Sequence, residues 1–281
     1  MANSITDARN SFITFNDELY LTQRECAIVK PFCLPIFEAS DLCFQFVLNS
    51  DLTYEYLEDY LKIRTVSLTN VKTLVTSTAI SIVEISTGVY LFGIGLNESN
   101  LLNPYDIGEC FSIEILITND DGGTVYSKTS NQCLQRIPDI CFTSRITYTN
   151  NENAFGFFYF INEEVFINKI RLPIYFKNPQ PQNDQKVYVR SDGTRKKLYA
   201  RLSKKWLGLV DMTTEEVHQK LVVALSHDNV TFVTDNLYSL ECTFEDEYNQ
   251  DFPDVMQGIN VWTSNFSVME TPFDEVNNNC G

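Results

Sequence analysis

Histidine, long apolar runs and signature spacings are what this chain has least of. Two histidines, His218 and His227, occur in 281 residues. They lie nine positions apart, on different faces of any helix carrying both, so a histidine-based triad or zinc site would have to recruit partners from elsewhere. A structural role is expected for both, and His227 falls near a helix C-terminus, where a histidine is favourable. No C-x-x-C or H-E-x-x-H spacing occurs. Gly93-Ile94-Gly95 lacks the third glycine and the following helix of a dinucleotide site. No phosphate loop and no G-x-S-x-G elbow is present. The expectation is a chain without catalytic residues, cofactor or metal.

No apolar run approaches the roughly 20 residues of a membrane-spanning helix. Met1 to Asp7 lacks the basic and apolar regions of a signal peptide, so synthesis in a cytoplasm is expected. The eight cysteines are irregularly spaced in a chain that is not short, which favours reduced thiols, several simply buried. A net charge of −16 argues against a general nucleic-acid binder and against adsorption to anionic membranes.

What the chain does have is strand-forming bulk. Hydrophobic content is 44%, with 20 Phe and 14 Tyr, ample for a buried core. Short alternating segments separated by turn clusters predict a mainly β fold: antiparallel β-sandwich modules with one short helix packed on a sheet. Residues 1–24 read as an N-terminal arm with a Phe12–Phe15 strand. Residues 25–138 read as one sandwich and 139–281 as a second β-rich domain, with a soft boundary near Pro138. Leu42–Leu48 reads as a strand buried on both faces. Asp51–Tyr60 is ambiguous between strand and helical turn, and Leu74–Ile85 reads as one β-branched strand. In Phe111–Thr118, Phe111, Ile113, Ile115 and Ile117 alternate with Ser112, Glu114, Leu116 and Thr118, and Asn119–Gly123 turns the chain back.

Lys177–Asp184, with two prolines and no apolar residue, predicts an exposed loop. Residues 186–202 predict a hairpin closed by a two-residue Asp192-Gly193 turn, with Leu198, Ala200 and Leu202 on one face and Lys197, Tyr199 and Arg201 on the other. A helix is expected over 213–226: Thr213 and Glu216 match a capping box, Met212 and Val217 a hydrophobic staple, and Val217, Leu221, Ala224 and Leu225 form one stripe.

Charge layout is the informative feature. Lys186, Arg190, Arg195, Lys196, Lys197, Arg201, Lys204 and Lys205 face only Asp192 within their stretch, giving it +7 and leaving −23 on the rest. After Lys220 there is no Lys or Arg, while eleven Asp or Glu follow. Read blandly, the hairpin is a solvated basic face and Glu245, Asp246, Glu247, Asp251 and Asp254 a solvated acidic one. That acidic group lacks the ligand order of a calcium loop. Read as complementary, the basic hairpin of one copy meets the acidic C-terminal segment of the next, closing a ring if the rotation suits. Passing contact of the basic patch with DNA is a minor reading.

Several stretches together resemble a known group: Tyr148, Asn150-Asn151 and Asn153-Ala154-Phe155-Gly156; Lys169-Ile170-Arg171-Leu172; Tyr188-Val189-Arg190-Ser191-Asp192-Gly193; Leu198-Tyr199-Ala200-Arg201-Leu202; and Ala224-Leu225-Ser226-His227-Asp228. Their order is similar to a pattern in structural proteins of tailed phages of Bacteroidetes, including the crAss-like phages. Pro35-Ile36, Asp41-Leu42 and Phe44-Gln45-Phe46 resemble the leader region of the same group, while the long acidic C-terminal region has no counterpart in the pattern.

The resemblance implies a virion component assembled in the host cytoplasm: a ring-forming protein of the tail barrel or hub below the portal. Its implied partners are copies of itself in six- or twelvefold rings and the neighbouring tail and portal-proximal proteins. It carries over no catalytic residue. On this expectation the basic hairpin and the Asn178–Asp184 loop, with Asn178, Pro179 and Pro181, make contacts, and residues 245–254 are their complement. Two readings stand beside it. A β-sandwich could recognise host surface glycans through a groove lined by exposed aromatics. A hydrolase would need a cleft holding paired carboxylates.

Overall fold

The computed structural model describes residues 3–7, 12–13, 15, 34–37, 42–67, 71–74, 80–96, 108–130, 134–137, 143–154, 157–161, 164–234, 239–250 and 261–270. In the first half these form β1 (Ser4–Asp7), β2 (Leu34–Phe37), β3 (Leu42–Asn49), α1 (Tyr54–Tyr60), β4 (Leu61–Ser67), β5 (Val71–Leu74), β6 (Ile80–Ser86), β7 (Val89–Leu96), β8 (Cys110–Thr118), β9 (Thr124–Thr129) and β10 (Leu134–Ile137). The second half adds β11 (Ser144–Thr149), β12 (Phe160–Ile161), β13 (Glu164–Val165), β14 (Asn168–Leu172), β15 (Ile174–Phe176), β16 (Gln180–Val189), β17 (Arg195–Thr214), α2 (Glu215–Leu225), β18 (Asn229–Thr234), β19 (Ser239–Gln250) and β20 (Val261–Glu270).

The fold is mainly β, with large antiparallel sheets and short helices, as the sequence pattern predicts. A 12-stranded sheet runs β15-β17-β20-β19-β18-β11-β14-β3-β7-β6, with β1 on β3 and β16 on β17. A 6-stranded sheet runs β2-β10-β8-β4-β5, with β9 on β8. The large sheet takes strands from both sides of Pro138, and one continuous hydrophobic cluster joins Phe44, Ile63, Ile115, Ile146, Phe232 and Phe266. The boundary expected near Pro138 thus falls between strands that share a sheet and a core.

β3 shows how the sequence builds this layer. Leu42, Phe44, Phe46 and Leu48 recur every second residue and are all buried, the period that places side chains on one sheet face. Phe46 stands opposite Phe92 of β7, their rings stacked at 4.9 Å. Burying one such ring contributes about 2–3 kcal/mol.

Several expectations need correction. Phe12 and Ile13 lie in a bend rather than a strand, and with Phe15 they are buried in the core; a strand of the N-terminal segment, β1, pairs with β3. Asp51–Tyr60 resolves as α1, whose N-cap Thr53 Oγ1 accepts from the Tyr56 amide at 3.4 Å and which anchors on buried Leu57. Leu74–Ile85 is two strands in different sheets, β5 and β6.

Along β8 the expected polar face is largely buried: Glu114, Leu116 and Thr118 are within, Glu114 meeting Arg64 of β4 at 2.5 Å. α2 buries the expected stripe of Val217, Leu221, Ala224 and Leu225 and packs on β17, β19 and β20. It begins at Glu215, and the Thr213 hydroxyl bonds the His218 ring at 2.9 Å, so Thr213 is not the cap of a capping box. Met212 of the expected staple has no described side chain.

Candidate contact surface

β17 is 20 residues long, and its two ends do different things. From Lys205 onward it pairs with β20, and Gly208–Val210 also pairs with β15. Before Lys205 its only partner among the described residues is β16, the strand beyond the sheet's ordered path. The β16–β17 hairpin is therefore a two-stranded ribbon reaching about 30 Å out of the sheet, at roughly 3.3 Å per residue.

Among the described residues no layer covers this ribbon, and the sequence explains why. β16 opens with Gln180, Pro181, Gln182 and Asn183, with no alternating apolar face to bury. The exposed loop expected over Lys177–Asp184 is confined to its first three residues, because Gln180–Asp184 is already strand. Pro181, opposite Lys204, is tolerated because β16 is an edge strand and needs no amide on its open side.

The turn also differs from expectation. Gly193 N–H donates to the Arg190 carbonyl at 2.9 Å, and Arg190 N–H donates to the Thr194 carbonyl at 2.8 Å. That is a three-residue loop, Ser191-Asp192-Gly193, with Gly193 at φ 82°, and not a two-residue Asp-Gly turn. Asp192 Oδ1 accepts from the Thr194 hydroxyl at 2.7 Å and its amide at 2.8 Å, bonds that hold the carboxyl below its usual range. A register shift between Lys186 and Val187 leaves Leu198 as the extra residue of β17. The simple alternation expected along 196–202 is thereby broken.

Lys186, Arg190, Arg195, Lys196 and Lys197 are all exposed. Among them stand Val187, Tyr188 and Val189, 42%, 53% and 54% exposed, which the sequence reading did not assign to the contact surface. Val187 lies opposite Lys197, Tyr188 opposite Lys196 and Val189 opposite Arg195. The overlooked signal was three successive apolar residues between two cations in an otherwise polar strand.

At the base, Arg201 lies opposite Asp184 in register. Lys204 pairs with Glu270 of β20 at 3.6 Å, and the same carboxylate accepts from Trp206 Nε1 at 2.9 Å. Lys205 is half-buried, Asn178 and Pro181 are exposed, and Pro179 is partly covered. The expected acidic loop is in part strand: Glu245, Asp246 and Glu247 lie in β19, at a register shift between Phe244 and Tyr248. Asp251 and Asp254 lie outside the described residues.

Both histidines are buried in hydrogen-bond clusters. His218 Nε2 meets Thr213 Oγ1 at 2.9 Å, and Nδ1 meets Tyr248 Oη at 2.6 Å and Ser264 Oγ at 3.1 Å. Ser264, only 3% exposed, donates to Tyr248 Oη at 2.8 Å. This serine–histidine contact is closed to solvent.

His227 Nδ1–H donates to the Val223 carbonyl at 2.7 Å in the last turn of α2. Its Nε2 is left as acceptor for the Tyr159 hydroxyl, which also accepts from Asn168 Nδ2 at 3.2 Å. Burial lowers the His227 pKa and raises that of Tyr159. The ring therefore closes the helix end as a neutral donor rather than as the cation a helix dipole would favour.

Among the described residues no group of three or more His, Cys, Asp or Glu could hold a metal ion. Burial pushes the Cys242 thiol up to about 12. No described helix is long and apolar enough to cross a membrane. The projecting basic and apolar arm is a feature with chemistry to offer a partner. No protein-family model and no curated protein matches this sequence.

Proposed function

We propose that this chain is a virion structural protein of a short-tailed phage, a ring-forming component of the tail barrel or hub that acts through protein–protein contacts. One observation carries the assembly half of this reading. A ribbon of about 30 Å projects from the sheet with Val187, Tyr188 and Val189 exposed among five cations. None of those cations has an ion-pair partner among the described residues. Exposed apolar side chains on a projecting element mark a contact site, and the unpaired cations select an acidic partner. The virion half rests on the resemblance of the 148–228 pattern to phage structural proteins.

The test is the mass of the purified chain by light scattering, with negative-stain imaging, at about 0.05 M and about 0.5 M salt, where screening lengths differ roughly threefold. A closed ring that dissociates as salt rises is the expected result. R195E/K196E/K197E should remain monomeric with an unchanged circular dichroism spectrum. Assembly of that variant at wild-type affinity would overturn the arm's role. A wild-type monomer at every concentration that binds immobilised glycans would replace the ring with a carbohydrate-binding module.

A further inference from the structure

The chain carries a second hairpin built on the same turn as the arm, with the opposite charge. Between β8 and β9, Gly122 N–H donates to the Asn119 carbonyl at 2.9 Å and Asn119 N–H donates to the Gly123 carbonyl at 2.8 Å. Gly122 takes φ 76°, as Gly193 takes 82° in the arm. The two tips are Asp120-Asp121-Gly122 and Ser191-Asp192-Gly193.

The acidic tip is fixed to α1. The Tyr56 hydroxyl donates to the Thr118 carbonyl at 2.9 Å, and the Tyr56 and Tyr60 rings lie 4.5 Å apart, with the Asp120 carboxylate raising the Tyr60 pKa. Around this half-buried pair of rings stand Glu55, Glu58, Asp59, Asp120 and Asp121, all exposed. None has an ion-pair partner among the described residues.

Building on the assembly reading above, we propose that this acidic knob of α1 and the β8–β9 turn is the seat for the β16–β17 arm of a second copy of this chain. Five unpaired carboxylates around two tyrosine rings match five unpaired cations around Val187, Tyr188 and Val189. Both surfaces combine charge with apolar area, which a phosphate backbone would not repay. Arm and knob belong to different sheets, so each copy presents both, and the contact is head-to-tail. Such a contact propagates from copy to copy and closes only if its rotation allows. This contact assigns the arm's complement to the knob, where the sequence pattern had suggested residues 245–254.

The test uses two full-length variants, R195E/K196E/K197E in the arm and E58K/D59K/D121K in the knob. Asp120 stays intact because it is the acidic residue that acts on Tyr60. Each variant alone should self-associate at least about 100-fold more weakly than the wild type, because like charges would face each other. Mixed, they should co-assemble in alternation, because the intact arm meets the intact knob and the reversed arm meets the reversed knob. Both triple changes in a single chain should restore assembly.

Knob reversal that leaves assembly at wild-type strength, while arm reversal abolishes it, would overturn the knob and leave the ring reading standing. A wild-type chain that never self-associates would overturn both. Arm-dependent binding of a DNA duplex that competes with self-assembly would assign the arm to nucleic acid instead.

Discussion

Gln45 and Phe158 hold each other by a reciprocal pair of hydrogen bonds across 113 residues of chain. Gln45 Nε2 donates to the Phe158 carbonyl at 2.7 Å, and the Phe158 amide donates to Gln45 Oε1 at 3.1 Å. The side chain of Gln45, itself fully buried, does what a neighbouring strand would do for Phe158. It ties the Phe157–Tyr159 segment, which carries its own small cluster, to the middle of β3. Gln45→Leu removes both bonds and leaves two main-chain groups without partners. We expect a loss of about 2–5 kcal/mol, read as a lower denaturant midpoint at unchanged slope.

Tyr159 and His227 make a second prediction, in pH. Burial holds the folded His227 below its ordinary value of 6.5, so the unfolded chain takes up the proton first. The contribution of the neutral ring is complete above about pH 6.5 and is lost as pH falls toward the folded value. Chemical denaturation in steps from pH 8 to 5 should show this decline, and His227→Phe should flatten it. Tyr159→Phe, which deprives Nε2 of its donor, should cost about 1–3 kcal/mol at pH 8.

Glu114 behaves oppositely in origin and acts in a lower window. Burial alone would raise its pKa, but the bonds from Arg64 and Ser127 outweigh that and hold it below 4.5. Its contribution is complete above that pH and disappears as pH falls through the folded value. Glu114→Gln should therefore destabilise the protein by about 1–2 kcal/mol at neutral pH, discounted because Arg64 is one-third exposed. The two proteins should converge in stability under strong acid.

Gly208 lies under the ring of Phe266, its cross-strand partner. A Cβ there would sit 2.5 Å from Phe266 Cζ, inside any real contact distance. Gly208→Ala should cost about 1–3 kcal/mol or more, and Phe266→Leu in the same chain should recover part of it. Gly193→Ala meets no atom but forces a left-handed φ on alanine. We expect about 1 kcal/mol of local cost, seen as faster amide exchange in the β16–β17 ribbon with no shift in the global midpoint.

Local pattern made much of this legible. The alternation of Leu42, Phe44, Phe46 and Leu48, the stripe on α2 and the punctuation by Asp-Gly each depend on residues close in sequence. The basic stretch of the arm needed only counting. The contact role proposed for Val187, Tyr188 and Val189 could not be read from the sequence alone, because an apolar triplet in a strand is ordinarily core, and only its exposure among the described residues sets it apart.

Sequence by itself determined the β character, the arm and its charge, because periodicity and turn chemistry are short-range. Tertiary structure decided how strands from both halves share one large sheet. It decided that Phe12, Ile13 and Phe15 enter the core, that Pro181 sits in an edge strand, and that Thr213 serves His218. It also brought Tyr60 of a short helix to Asp120 of a distant turn, which makes scattered carboxylates one surface. Such pairings depend on contacts tens to hundreds of residues apart, for which no local spacing leaves a mark.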